Sequence, residues 1–412
     1  MKRLLTLAAM FLCCMATAFA QFSGSGSGTE NDPYLILNPI QLNQIRNFPG
    51  GAYFKLLADI DLTEFIEDEY PNVGWLPINI YGCNLDGNGK TISGLWINRD
   101  NTDEVGLFSN FRSGNIKNLF FKNVDIKGKD KVGAIAGEVF ATTISNCHVE
   151  GTINGQKSVG SFVGCISSQS YSESSFENLT GIVNIRATGS YVGGILGGER
   201  DGTASFDNCK IIDSSISGFD YVGGLSGRSW TIKNSSFKGT VDGHSYVGGL
   251  TGYGTCNISN SYAYGDIQAS GDNIGGIAGY CYGYQHSQNW KTDILYLNNC
   301  QFYGNLYGEN NIGGIAGYYN CGDNYVKTGI RSCLVNATLN GDDCIGGICG
   351  TISKRAQWGY MYLENNVSAS TKITVRGEKL SLKTDNRTTP LVGRIFSYNE
   401  LNSQNLDRKS VV

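Results

Sequence analysis

Apolar and polar residues alternate along this chain in short runs. Cys147, Val149 and Ile153 form one side of such an alternation, and His148, Glu150 and Asn154 form the other. A period of two predicts strands with one face turned to a core. Glycine marks a bend inside each run, as at Gly151, Gly239, Gly265 and Gly304. A helical solenoid needs apolar residues at 3.6 spacing and few glycines, and neither is present. The exception is residues 34–48, where Leu42, Ile45 and Phe48 predict one short amphipathic helix. A helix there would cover the open edge of the first coil.

The runs are spaced by a recurring phrase, Val/Ile-Gly-Gly-hydrophobic-x-Gly. It reads VGGILG from Val192, VGGLSG from Val222, VGGLTG from Val247, IGGIAG from Ile274 and Ile312, and IGGICG from Ile345. Looser copies begin at Val105, Val132 and Val159. Successive copies start 27, 27, 33, 30, 25, 27, 38 and 33 residues apart. A period in this range predicts a solenoid whose units bury their apolar faces against one another. Strand-length segments joined by glycine bends make it a parallel β-helix of about ten coils. A β-propeller needs blades of about 40 residues, and these units are too short. Ile195, Leu225, Leu250, Ile277, Ile315 and Ile348 are expected to form an inward ladder.

A second landmark precedes each phrase by 13 or 14 residues, as at Asn146-Cys147, Asn208-Cys209, Asn234-Ser235, Asn260-Ser261, Asn299-Cys300 and Ser332-Cys333. A position that alternates Cys with Ser reads as a small inward residue. The asparagines are expected to form an amide ladder. Cys281 and Cys321, in the loops of adjacent coils, are the better-placed pair for a disulfide. Tyr191, Tyr221 and Tyr246 each precede a phrase and should stack on the outside.

Four parts are expected: a signal peptide over 1–20, a cap with irregular first coils over 21–100, regular repeats over 101–365, and a degenerate last coil over 366–412. Lys2 and Arg3 followed by an apolar stretch and Ala18-Phe19-Ala20 give the signal-peptide pattern. No later segment is apolar enough to span a membrane. Export therefore predicts a secreted or cell-surface protein.

Composition narrows the task. Without residues 1–20, which hold two of the 32 basic residues, 30 basic residues face 36 acidic ones, a net charge of −6. That balance argues against a nucleic-acid binder, which normally shows a basic stripe. The acidic run Glu64, Glu67, Asp68 and Glu69 reads as a solvated loop rather than a cation site, and no metal or cofactor is expected.

The phrase closely resembles the GLUG motif of bacterial secreted and surface proteins. The entry segment GSGTENDPYLILNPIQLNQI, Gly26 to Ile45, and the following YFKLLADIDL resemble the start of the β-helical region in those proteins. The resemblance covers most of residues 26–350. It implies an all-β, right-handed parallel β-helix on a bacterial exterior, of the Gram-negative kind, with an adhesin-like role. Some immunoglobulin A metallopeptidases carry the motif beside a catalytic domain with His-Glu-x-x-His. This chain has no such motif, its histidines being His148, His244 and His286. The protease role is not carried over, and no enzyme is expected.

All length variation falls between the end of a phrase and the next Asn/Ser-Cys/Ser pair. Insertions at one point of each coil emerge along one edge of a solenoid, often its binding face. Three consecutive insertions are aromatic: Tyr280 to Trp290, Tyr318 to Tyr325 and Lys354 to Tyr362. Tyr and Trp offer large contact area with a polar handle. The expected ligand surface is Tyr282, Tyr284, Trp290, Tyr318, Tyr319, Tyr325, Trp358 and Tyr360, recognising a glycan or a protein partner. The competing reading is that these rings pack on one another and fasten the loops. A polysaccharide lyase or glycoside hydrolase on the same fold is the alternative function, although no clustered carboxylate pair stands out. A passive rod in a surface assembly is the third.

Overall fold

The computed structural model describes residues 22–48, 50–167, 173–198, 203–283, 294–321, 327–354, 360–369, 372–375 and 392–397. It is 62% strand and 5% helix, wound into a parallel β-solenoid of about nine turns. Strands pair in parallel from coil to coil, with a single antiparallel bridge, Gly74 to Ile97, among the described residues.

Each regular coil presents three faces. The phrase strands form the first, and they stack in register: Val192 on Val222, Val222 on Val247, Val247 on Ile274, Ile274 on Ile312 and Ile312 on Ile345. The strand that follows each phrase begins the second face, here called the seam face. The strand that follows each asparagine corner forms the third, the Asn-led face. Ile195, Leu225, Leu250, Ile277, Ile315 and Ile348 are all fully buried, so the expected inward ladder is present.

Two corners have a residue in the left-handed region, where Asn is tolerated far better than most residues. At the Asn corner, φ is 53° at Asn146, 53° at Asn178, 51° at Asn208, 50° at Asn234, 50° at Asn260 and 52° at Asn299. The side-chain amides bond from coil to coil. Asn146 donates to Asn118 (3.1 Å), Asn178 to Asn146 (3.0 Å), Asn208 to Asn178 (2.7 Å), Asn260 to Asn234 (3.4 Å) and Asn299 to Asn260 (2.9 Å). Asn234 donates instead to Asp207 at 2.8 Å.

The next residue points inward and closes the corner. The Ser235 hydroxyl donates to the Lys233 carbonyl (2.6 Å) and Ser261 to Ser259 (2.7 Å), as the thiol of Cys147 does to Ser145 (3.2 Å) and that of Cys333 to Arg331 (3.3 Å). Cys and Ser interchange because both are small and both can donate to the carbonyl two residues back. Burial pushes the thiols of Cys147 and Cys209 up to about 12. Cys281 and Cys321 are also buried, and no disulfide joins them. Cys281 lies in register with Tyr319, two positions short of Cys321, so the two thiols are offset diagonally across neighbouring strands.

Close approach explains the glycines. A Cβ on Gly252 would stand 2.6 Å from the Tyr246 carbonyl oxygen and 2.6 Å from the Val222 nitrogen, distances real Cβ atoms do not reach. At Gly265 the backbone bends with φ 138°, and a Cβ there would strike the Gly239 carbonyl of the neighbouring coil.

The helix expected near the start is α1, Pro39–Gln44, continued by a turn of 3-10 helix over Ile45–Asn47. The Asn38 side chain accepts from the Gln41 N–H at 3.0 Å, and Pro39 opens the first turn. Leu42 and Ile45 are buried, and Phe48 joins a cluster with Phe22, Tyr34 and Phe54. The acidic run is not a loop. Glu64, Glu67, Asp68 and Glu69 lie on a second short helix, α2, Thr63–Glu69, whose Ile66 is buried. No helix among the described residues is long and apolar enough to cross a membrane.

Candidate functional site

The seam face is where the coils vary. In two coils it is one continuous strand, Ser226–Lys233 and Thr251–Ser259. In three later coils the strand stops and resumes: at Tyr282 and Ile294, at Asn320 and Lys327, and at Lys354 and Tyr360. The insertions therefore leave from one edge, as their positions in the sequence require.

Beside that edge run two columns of tyrosine. The first occupies the corner before each phrase, with φ 66° at Tyr191, 59° at Tyr221 and 59° at Tyr246. The second occupies the residue just after each phrase, where Arg228, Tyr253, Tyr280, Tyr318 and Thr351 are in register. Ring centroids are 4.8 Å apart for Tyr191–Tyr221 and 4.7 Å for Tyr221–Tyr246. They are 5.1 Å apart for Tyr253–Tyr280 and 5.1 Å for Tyr280–Tyr318. The spacing is that of neighbouring strands, so the coil rise sets the stack. The columns meet edge to face, Tyr221 on Tyr253 at 6.0 Å and Tyr246 on Tyr280 at 5.8 Å. Cations cover two ring faces: Lys157 Nζ lies 5.8 Å from the Tyr191 centroid and Arg228 Cζ 5.3 Å from that of Tyr253. All six rings are partly buried.

Burial, followed by the charge of neighbouring groups, raises the phenols of Tyr221 and Tyr246. Burial also raises that of Tyr280, against an opposing hydrogen bond from Asn320 to its hydroxyl at 3.0 Å. These hydroxyls are neutral donors near pH 7. Stacking uses the ring faces and leaves the rest of each ring partly exposed.

Of the residues named from sequence, Tyr282 and Tyr318 stand on this face. Tyr282 is half-buried, in register with Asn320 on the next coil and Thr255 on the previous one. Tyr319 does not belong to the surface. It is fully buried, in one column with Cys281 and Ile352, and its hydroxyl faces the Gly329 carbonyl at 3.4 Å. Strand parity is the reason: Tyr318 points out, so its neighbour points in. Tyr284, Trp290, Tyr325 and Trp358 lie outside the described residues, and Tyr360 is described only as the first residue of the strand Tyr360–Glu364.

Tyr253 and Tyr280 are the residues the sequence reading missed. The signal was a repeated dipeptide, Gly252-Tyr253, Gly279-Tyr280 and Gly317-Tyr318, the last glycine of each phrase followed by tyrosine.

Earlier in the chain the same two columns carry charge. Glu104 and Lys131 occupy the corner position, Glu138 the position after the phrase, and Asn110, the last residue of the looser copy from Val105, lies in register with Glu138. Glu138 is 6% exposed. It binds Lys131 at 2.5 Å and Arg112 at 3.1 Å, and accepts from Asn110 at 3.2 Å. Burial pulls the Lys131 ammonium down most strongly as a single effect, but bonding to Glu138 and Glu104 outweighs it, and the net shift is upward.

One further groove, near the first coils, is lined by Tyr53, Lys55, Asn84, Asp86, Asn115 and Lys117 among others. Its polar groups largely satisfy one another, Asn115 on Asn84 at 2.9 Å and Lys117 near Asp86 at 3.8 Å. Among the described residues no three His, Cys, Asp or Glu side chains gather as a metal-ligand set.

Residues 98–151 match the family model described as the M26 IgA1-specific metallo-endopeptidase N-terminal region. A candidate Gly-rich membrane protein of Evansella cellulosilytica is 33% identical over 171 residues, covering 36% of this chain and 19% of that protein. An immunoglobulin A1 protease of Streptococcus pneumoniae is 32% identical over 183 residues, covering 42% of this chain and 8% of the protease. The chain thus spans about a fifth or less of the length of these relatives. Among solved structures, the S. pneumoniae surface protein and adhesin PfbA aligns over 84% of this chain and 90% of its own, with 12% identity and a TM-score of 0.35. The β-helix of this chain is similar in sequence to a region of the immunoglobulin A1 proteases.

Proposed function

We propose that this chain is an exported, surface-exposed β-helix that binds a glycan through its aromatic edge. The observation that carries this reading is the tyrosine seam. Tyr318 and Tyr282 stand where two long insertions leave the sheet, and Tyr253 and Tyr280 extend the same surface along the axis. A rigid strand face that presents partly exposed phenol rings at a fixed rise suits a repeating hydroxylated ligand. The insertion rings Tyr284, Trp290, Tyr325, Trp358 and Tyr360 complete the surface in this reading. The family match concerns the N-terminal region of a metallo-endopeptidase family, and the reading assigns no catalytic step to this chain.

A protein ligand is the second reading. It is favoured by the sequence similarity to immunoglobulin A1 proteases, large proteins of which this chain matches only a part.

A glycan-array screen of the chain without residues 1–20 tests the first reading, with Trp290→Ala/Trp358→Ala and Tyr318→Ala variants alongside. Binding that is lost in both folded variants supports a glycan site on this edge. Binding to no glycan sinks it and favours the protein ligand.

A further inference from the structure

Aromatic residues gather once more on the Asn-led face, away from the loop edge. Tyr262 and Tyr264 are two apart on the strand Tyr262–Ala269, so both point outward. They are 49% and 54% exposed. In register on the next coil, Tyr262 faces Gln301, Tyr264 faces Tyr303 and Gln268 faces Tyr307. The Tyr303 hydroxyl donates to Gln301 Oε1 at 3.1 Å, which holds that ring in place.

These rings differ from the seam in one respect that matters for ligands. In the seam each tyrosine covers its neighbour's face at 4.7 to 5.1 Å. Neither Tyr262 nor Tyr264 stacks on another ring among the described residues; Lys238 and Tyr303 flank Tyr264 in register on the two neighbouring coils, and both rings stay exposed. Four residues beyond Tyr264 on the same strand, about 13 Å further along, Gln268 enters a shallow groove of about 380 Å³ that Asp242, Ala269, Ser270 and Tyr307 also line. Exposed, unstacked rings that share one strand face with amide, hydroxyl and carboxylate groups further along complement an oligosaccharide, whose sugars each have an apolar C–H face and a rim of hydroxyls.

Charge narrows the ligand. The cation nearest these rings, Lys238, is held by Asp213 at 2.9 Å. Asp266 accepts from Asn305 at 2.7 Å, and Asp242 lines the groove. No unpaired cation stands among these groups to attract an anionic sugar.

We propose that this face binds a neutral oligosaccharide, with Tyr262 and Tyr264 as stacking platforms and Asp242, Gln268 and Ser270 as hydroxyl partners. The inference goes beyond the loop-edge reading and does not rest on it.

Isothermal titration of the chain with cellohexaose, xylohexaose and mannohexaose, and with hexagalacturonate as the acidic counterpart, tests the proposal. At least one neutral hexaose should bind, and more tightly than hexagalacturonate. Tyr262→Ala/Tyr264→Ala should weaken it by about tenfold or more, while Tyr262→Phe/Tyr264→Phe, which keeps the ring faces, should stay within about threefold. Trp290→Ala/Trp358→Ala on the loop edge should leave this binding unchanged. The proposal is overturned if no neutral hexaose binds, or if hexagalacturonate binds as tightly. It is equally overturned if the double alanine variant binds like the parent, or if the loop-edge variant is the one that loses binding.

Discussion

The early and late stretches of the seam solve one packing problem with opposite chemistry. The backbone imposes the same two columns on both, a left-handed corner and the residue after the phrase. Around Lys131 the columns hold a buried carboxylate satisfied by two cations and an amide. From Tyr191 to Tyr318 they hold stacked rings. The solenoid thus dictates where side chains stack, not what they are. The ionic version depends on complete pairing, since a buried charge left alone is costly. The aromatic version gains a little with every ring and tolerates gaps, which is why it can extend over several coils.

The largest expected effect tests the ionic stretch. Glu138→Ala leaves Lys131 and Arg112 without their shared partner and should cost about 3 kcal/mol. The value sits at the low end for a broken buried pair because both cations retain some access to water. Urea denaturation should show it as early loss of the coils around Lys131. A loss below about 1 kcal/mol would mean that the cluster is no more than a surface pair.

Tyr280→Ala should come next. It removes two stacked neighbours and one edge-to-face contact, at about 2 kcal/mol in the same measurement. Tyr280→Phe should recover most of that, since only the bond from Asn320 is lost.

Alkaline pH acts on both stretches in one direction. The Tyr280 phenol and the Lys131 ammonium are both raised above their ordinary values near 10.0 and 10.5. A group raised in the folded state lends stability that is complete below its unfolded pKa and is lost as pH rises through the folded one. Melting temperature should therefore fall above about pH 10. Tyr280→Phe should flatten that fall, and an unchanged slope would show that the seam phenols titrate like free tyrosine.

The smallest effect is expected at the corner. Tyr221→Asn removes two stacks and one edge-to-face contact, as many as at Tyr280, but places in a left-handed position the residue that suits it better. The net loss should stay under about 1 kcal/mol. A loss equal to that of Tyr280→Ala would mean that the two columns are equivalent and the corner carries no strain.

The periodic parts of the molecule were legible because each copy repeats the same constraint. The phrase predicted its own register, the Asn corners their ladder, the Cys/Ser position its inward pointing, and the insertions their common edge. Individual parity was not. Tyr318-Tyr319 offers two identical residues, and only counting outward from Gly317 tells which one faces the core. The ionic cluster was hidden for another reason: Lys131 and Glu138 flank one phrase seven residues apart, a spacing that marks no pair in a strand, and Arg112 joins them only when the neighbouring coil has closed. Cys281 and Cys321 looked paired by loop position, whereas the strands offset them across neighbouring coils. The short helix at Glu64 to Glu69 escaped because its polar residues outnumber the single buried anchor, Ile66.

The asparagine ladder also has a mechanical meaning. Each amide grips only the coil beside it, so a pull along the axis loads these links in series, like the rungs of a rope ladder. The same tension passes through every link and the weakest one yields first. Among the described links the longest is Asn260 to Asn234, at 3.4 Å. Stretched end to end, the molecule would yield coil by coil rather than all at once, since no rung reaches past its neighbour.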